Sequence, residues 1–367
     1  MRHDELHEFG SEPIADAHLH HTQKLTPQRS VEVLSDAAAH FNLSRVLLAA
    51  ITYYTPLENL LSFYCKARLS PIAYTASGLI HHRDGRDTAE HYGAEIRRYH
   101  AMGCDGIKLI EGKPNVHRSL REPNLAASAY DLMFSYAEEE GIPILAHIGD
   151  PAYFWDVTKM DAYSIEHGWY NPPGSATLEE IRAGIEGVLA KFPQLRLTLA
   201  HFYFMGDDLD RAARLLDRYP NLMLDLTPAP DVFISLSENI EGARAFFRHY
   251  TDRLIFGTDS YNFDVPRDAQ ERANGLRQRL VRSFLEGEAP FSYTHHTLQP
   301  LRLGREVSDP ILRTAFVRRY GEVPRALDRE RILDECRRVE ETFPLSEWES
   351  EGLAEIRRYF TEEYEQA

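Results

Sequence analysis

The stretch ADAHLHH, residues 15–21, sets His18 and His20 two residues apart. On a helix those side chains diverge, but on a strand they share one face. At about 3.3 Å per residue their Cα atoms then lie about 6.6 Å apart, close enough to hold one ion. In a chain with 17 histidines one such pair carries little weight. The weight comes from recurrence. His147 closes the run ILAHIGD, His201 closes LTLAHF, and Asp259 closes IFGTD. Strand parity turns Leu145 with His147, Leu199 with His201, and Gly257 with Asp259 to one side. Imidazoles and a carboxylate drawn from separate segments to one rim are ligands for a divalent metal, zinc or iron by donor type.

Short aliphatic runs must position these residues. They fall at 14–20, 45–51, 72–80, 106–111, 143–150, 196–202, 222–227 and 253–259, each brief enough for a strand buried on both faces. Helical stretches alternate with them, such as DTAEHYGAEIRRYHAMG and DDLDRAARLLDRYP. Asp87, Thr88, Asp207 and Asp208 are candidate N-terminal caps, and Gly103, Gly141 and Pro220 are candidate stops. Eight such units predict a (β/α)8 TIM barrel, class α/β, over residues 13–288. Residues 289–367 are charged and helical in pattern, and predict a C-terminal helical extension packed on the barrel, without a further strand. Barrel sites form at the carboxyl ends of the strands, where the histidines and Asp259 fall.

DAHLH, the lysine of DGIKLI, the two Ala-His endings and GTD together resemble the amidohydrolase superfamily, in its amidohydrolase-related branch of metal-dependent hydrolases and decarboxylases. The resemblance spans roughly residues 14–260. It implies a divalent cation held by His18, His20, His147 and Asp259. His201 becomes either a ligand to a second cation or the acid/base that polarises the substrate. In two-metal members a carboxylated lysine, or a glutamate in its stead, bridges the ions from the fourth strand, and GIKLIEGKP offers both Lys108 and Glu111. Lys108 has inward parity, for carboxylation or for meeting an acidic substrate as an ammonium. Glu111 lies at the strand tip, where a turning loop would bring its carboxylate inward as the bridging ligand of a two-ion site.

Other residues reach the same rim. His81 and His82 follow the third run, with His82 a candidate substrate contact. The loop after the fifth run carries Phe154, Trp155, Trp169 and Tyr170; Trp155 is the candidate substrate contact in it, with Tyr203 and Phe204 completing an aromatic roof. Arg83, Arg86 and Lys113 are the nearest cations for an acidic group. Asp16 and Asp225 are candidates to orient ligand histidines, and His21 has the parity of a structural residue.

Bulk composition narrows the partners. A net charge of −16 argues against nucleic acid or an anionic membrane as the main partner. Cys65, Cys104 and Cys336 have no paired spacing, which predicts a reduced, cytoplasmic chain. The amino-terminal residues lack the apolar core of a signal peptide, and no apolar run reaches the roughly 18 residues of a membrane span. A small-molecule substrate is expected, and the outer helices leave a homodimer open. The expected chemistry is metal-dependent hydrolysis, with water activated on one or two divalent ions, Asp259 as acid/base and His201 steadying the oxyanion. The alternatives are non-oxidative decarboxylation and iron-dependent dioxygen activation at the same ligands.

Overall fold

A computed structural model describes residues 12–364 apart from 22, 23, 54, 83–86 and 294. Eight parallel strands pair in chain order: β1 (Ile14–Leu19), β2 (Leu43–Ala49), β3 (Ala73–Gly78), β4 (Gly106–Gly112), β5 (Ile144–Ile148), β6 (Leu197–Leu199), β7 (Met223–Asp225) and β8 (Leu254–Ile255). A bridge between Leu19 and Ser260 brings the last segment back to the first, so the sheet curls into a TIM barrel. The strands are buried on both faces, β1 and β3 along their whole length, and the polar residues in them, such as Asp16, His18 and Thr75, are buried with the rest.

Helices fill the intervals and their ends follow local chemistry. In α1 (Pro27–His40) the Thr26 side chain accepts from the Arg29 amide, and Pro27 begins the helix at a position needing no donor. The next helix, α2 (Leu57–Arg68), has no side-chain cap. Thr88 caps α3 (Ala89–Met102), which ends at Gly103 with φ of 99°. A Cβ at Gly103 would also lie 2.2 Å from the Ala326 carbonyl oxygen, so glycine is required there twice over. Asp208 caps the helix Leu209–Arg218.

Two features depart from the sequence expectation. The sixth and eighth strands stop at Leu199 and Ile255, short of His201 and Asp259. The segment after 288 opens with an antiparallel hairpin, β9 (Phe291–Tyr293) and β10 (His296–Leu298), where no strand was expected. Farther on, Ala315, Phe316 and Tyr320 join Ala15, Ala17, Leu47, Tyr74 and Ile255 in one buried cluster, separate from the larger core between sheet and helices. The helices Arg329–Thr342 and Glu347–Arg358 contact α2, and the first of them also contacts α3.

Candidate metal centre

His18 and His20 sit at the end of β1, with Asp259 beside them after β8. One ligand atom from each lies within 4.8 Å of the other two. His20 Nε2 is 3.2 Å from His18 Nε2 and 3.0 Å from Asp259 Oδ1, and the His18–Asp259 pair is at 3.6 Å. The far side of each ring explains what these atoms are. His18 Nδ1 is 2.9 Å from Asp225 Oδ2, and His20 Nδ1 is 2.7 Å from the Ala49 carbonyl oxygen. Both partners accept, so each neutral ring keeps its proton on Nδ1 and presents a bare Nε2. Two imidazole lone pairs and a carboxylate oxygen thus converge in a buried corner. That donor set fits a divalent cation, and the outer hydrogen bonds fix the ligands as metal sites require.

The electrostatics agree. Burial, followed by the nearby Lys108 charge, holds His18 well below the ordinary histidine range. For Asp259 burial opposes the charge, but the His20 hydrogen bond and the surrounding imidazoles override it and hold the carboxyl well below its usual range.

Asp225 ties the arrangement together. Its second oxygen accepts from the amides of His201 (2.7 Å) and Thr227 (3.1 Å), and from the Thr227 hydroxyl. Asp16 braces the opposite seam, accepting from the amides of His18 and Thr258 and from the Thr258 hydroxyl. Burial pushes the Asp16 carboxyl up to about 7.

Parity alone does not bring His201 and Asp259 inward, because neither lies on a strand. His201, Phe202, Tyr203 and Phe204 have φ of 56°, 54°, 55° and 50°, a left-handed turn of four non-glycine residues, and Asp259 has φ of 54°. Such residues persist only where their surroundings over-determine them. Here Arg182 donates to the carbonyls of Tyr203 and Phe204, Asp225 holds the His201 amide, and the Asp259 amide donates to the His18 carbonyl at 2.7 Å. Gly257 permits the last contact, since a Cβ there would be 2.9 Å from both His18 Cβ and Thr227 Cγ2.

His147 and His201 form a second pair rather than completing the first cluster. His201 Nε2 is 3.2 Å from His147 Nδ1, and His147 Nε2 faces Asp150 at 3.4 Å. The His18 and His201 ring centroids are 5.7 Å apart, so the two groups adjoin. Burial drives His147 down to about 4 and His201 well below the ordinary range, so both rings are neutral at pH 7. Lys108 stands among them, with Nζ 2.9 Å from His18 Nε2 and its pKa lowered by burial to about 8.

These groups face a cavity of about 490 Å³ whose walls include His20, Lys108, Lys113, His147 and Asp259, with Ile51, Ile110, Trp169 and Tyr261 as apolar surface. Three expected site residues lie elsewhere. Glu111 is not turned inward: β4 runs on to Gly112, so Glu111 keeps the opposite parity to Lys108 and bonds His81 Nε2 at 2.8 Å and the Ile110 amide. His82 lines a separate cavity with Asp87 and Arg121, its ring stacked on Phe343. Trp155 donates its indole N–H to the Ala176 carbonyl and pins the loop, while Trp169 reaches the cavity. Tyr203 is buried away from the roof, and Phe204 stacks on the His201 ring. Arg83 and Arg86 lie outside the described residues.

Two further residues have no signal in the spacing of the motifs: Glu58, which lines the cavity, and Arg277, which holds Asp259. Glu58 was legible only as a charge within the apolar run LENLLSFYC. Arg277 donates to the Asp259 carbonyl at 2.8 Å and approaches its Oδ2 at 3.3 Å. Nothing in the sequence signalled that contact.

The sequence model of the amidohydrolase family matches residues 81–290, more than half of the chain. The chain belongs to the amidohydrolase family. Members of this enzyme family typically hold a divalent metal, and the superfamily includes hydrolases and decarboxylases. The fold recurs in a 2,6-dihydroxybenzoate decarboxylase from Rhizobium, 12% identical over 84% of this chain and 98% of that one, with a TM-score of 0.50. It recurs also in a protein from Agrobacterium tumefaciens, 12% identical over 85% of this chain and 95% of that one, with the same TM-score of 0.50. At such identities the likeness establishes the fold alone. No curated protein matches the chain at a significant level. Among the described residues no helix is long and apolar enough to cross a membrane.

Proposed function

We propose that the protein is a metal-dependent hydrolase of a small, partly apolar organic acid, working with one divalent cation at His18, His20 and Asp259. The observation that carries this reading is the meeting of two bare imidazole nitrogens and a carboxylate oxygen beside a cavity that also contains Lys108 and Lys113. A bound zinc or iron(II) ion would acidify water and polarise a carbonyl oxygen.

The remaining work belongs to the chain. Asp259, ionised and 27% exposed, takes the proton of the attacking water at the carboxylate oxygen not engaged by His20, then returns it to the leaving group. Arg277, beside that oxygen, keeps it aimed into the cavity. The neutral pair His147 and His201 shares one hydrogen bond between its rings beside the cation site, and exchanging that bond for the substrate would give the carbonyl oxygen a donor as charge develops on it. The Lys108 ammonium binds an acidic group of the substrate, and Trp169, Ile51 and Ile110 cover its apolar part.

Decarboxylation is the second reading, favoured by the two lysines that would hold a carboxylate near the cation. The dioxygen-activating alternative relied on Glu111 in a paired-iron set, and Glu111 bonded to His81 lends it no support. Metal analysis followed by turnover of a panel of esters, lactones, amides and aromatic acids tests the proposal. Acid release without carbon dioxide, abolished by chelation and restored by metal, is expected. Carbon dioxide release from the acids would select the decarboxylase, and turnover indifferent to chelation would end both.

A further inference from the structure

The cavity has a polar corner that the proposed chemistry leaves idle. Glu58, on the first turn of α2, is 5% exposed and lines the cavity. Its carboxyl accepts from the Ile51 backbone amide and, among the described residues, has no side-chain partner. His21 lines the same wall and is 4% exposed. Its Nε2 is held by the Ser62 hydroxyl at 2.7 Å, while its Nδ1 is buried without a hydrogen-bond partner. Ser62 lies four residues after Glu58 on α2, so the serine that fixes the imidazole shares a helix face with the carboxyl.

Burial without a partner is unfavourable for His21 Nδ1, and burial with a single backbone partner leaves the Glu58 carboxyl short of its hydrogen-bonding capacity; native structures retain such groups chiefly where something else completes them. Lys108 and Lys113 line the same cavity, yet no ion pair joins either to Glu58, so the carboxyl is not there to neutralise them. The neighbouring surface from Ala49, Ile51 and Ile110 is apolar and supplies no side-chain donor or acceptor.

We propose that Glu58 and His21 form a specificity subsite for an uncharged polar group of the substrate, a hydroxyl or a primary carboxamide, on the α2 side of the cavity. Burial raises the Glu58 carboxyl to about 8, so at neutral pH it is mainly the acid and donates through its O–H. A hydroxyl or carboxamide both accepts and donates, and can therefore bond Glu58 and His21 Nδ1 together. A ligand carrying only hydrocarbon at that point would leave both unpaired, which is the condition for strong discrimination. The subsite rests on the hydrolase reading only for the identity of the molecule it selects.

The test is therefore binding, not turnover. Zinc-loaded protein is titrated calorimetrically at pH 6.5 with benzoate, 3-hydroxybenzoate, 4-hydroxybenzoate and 4-carbamoylbenzoate. The carboxylate serves the lysines, the ring serves the apolar wall, and the added group probes the corner. At least one substituted acid is expected to bind 10-fold or more tighter than benzoate. In Glu58→Leu that preference over benzoate should fall below twofold, and Glu58→Gln, which keeps a donor, should retain at least threefold. Absence of any preference over benzoate, including absence of binding, overturns the subsite, as does a preference that survives Glu58→Leu. Selective binding by a protein that hydrolyses nothing would sink the hydrolase reading and leave the subsite standing.

Discussion

His18 depends on Asp225 as much as on its own ring, because the carboxylate decides which nitrogen is bare. Replacing Asp225 with alanine should weaken zinc binding about 10- to 100-fold, measured by competition with a chromophoric chelator. His18→Ala should lose the metal and the activity while keeping the circular dichroism of the barrel. Glu58 gives a prediction of opposite character. Its carboxyl titrates near 8 in the folded chain and near the ordinary 4.5 when unfolded, so between those values the folded state holds a proton that the unfolded state has released. Stability from this group therefore falls as pH rises through that window, and the penalty is complete above pH 8. Glu58→Gln lacks it, so its stability relative to the native protein, read from denaturant melts, should climb steadily from pH 4.5 to 8.5, by an amount on the order of a few kcal/mol at the upper end. A flat difference would show Glu58 ionised throughout. Residue types and spacing alone exposed the His18–His20 pair, since an i, i+2 pattern has one meaning on a strand. They did not expose Glu58 or Arg277, whose roles arise from contacts between distant segments, and they misplaced Glu111 because one extra residue of strand reverses which way a side chain points.

The elements explain why the rim residues were found for partly mistaken reasons. The runs LTLAHF and IFGTD read as strands to their ends, and that parity aimed His201 and Asp259 inward. The strands stop earlier, and left-handed residues do the aiming. Nothing in HFYF announces four consecutive positive φ values; the conformation is imposed from outside, by Asp225 on the first amide and Arg182 on the last two carbonyls. Arg182→Leu keeps most of the buried volume but removes those donors. It should lower stability by about 1–3 kcal/mol and let the His201 ring drift. The observable is a drop in activity with zinc affinity at His18, His20 and Asp259 preserved; unchanged activity would mean the turn is held by packing of Phe202 and Phe204 instead. Gly257 is the matching constraint on the other side. Gly257→Ala forces its methyl against His18 and Thr227, so it should destabilise by about 1–3 kcal/mol and also weaken metal binding, because the clash lies on a ligand.

At the scale of the whole molecule the (β/α) alternation was legible because short, mainly apolar runs recur between helical stretches, and capping residues such as Thr88, Asp208 and Gly103 punctuate the helices. The role of the last segment was not, because charged amphipathic helices read alike whether they decorate a barrel or complete it. Phe316 and Tyr320 belong to the inner cluster with Tyr74 and Ile255, the Phe256 amide donates to the Ile311 carbonyl, and Arg319 donates to the Leu197 and Asn221 carbonyls. The Arg313 guanidinium likewise holds the Pro13 carbonyl just before β1. Deleting 305–367 therefore uncovers apolar side chains on β1, β2 and β3 and leaves several buried backbone groups unpaired, each loss on the order of 1–3 kcal/mol. Such losses together exceed the 5–15 kcal/mol by which proteins are ordinarily stable, so a chain ending at Gly304 should aggregate or lack a cooperative melt. A chain ending at Asp328 loses the two outer helices and their ties to the barrel, among them the Glu335 ion pair with Arg98, the Gln28 amide bond to Glu355 and the Phe343 ring stacked on His82. It should remain folded at a lower melting temperature and still bind zinc, since none of its metal ligands touches those helices. Circular dichroism melts and size-exclusion chromatography of the two truncations separate the cases: cooperative melting of the shorter chain would show that residues 305–328 only decorate the barrel, whereas its collapse beside a folded longer chain would make them part of the barrel itself.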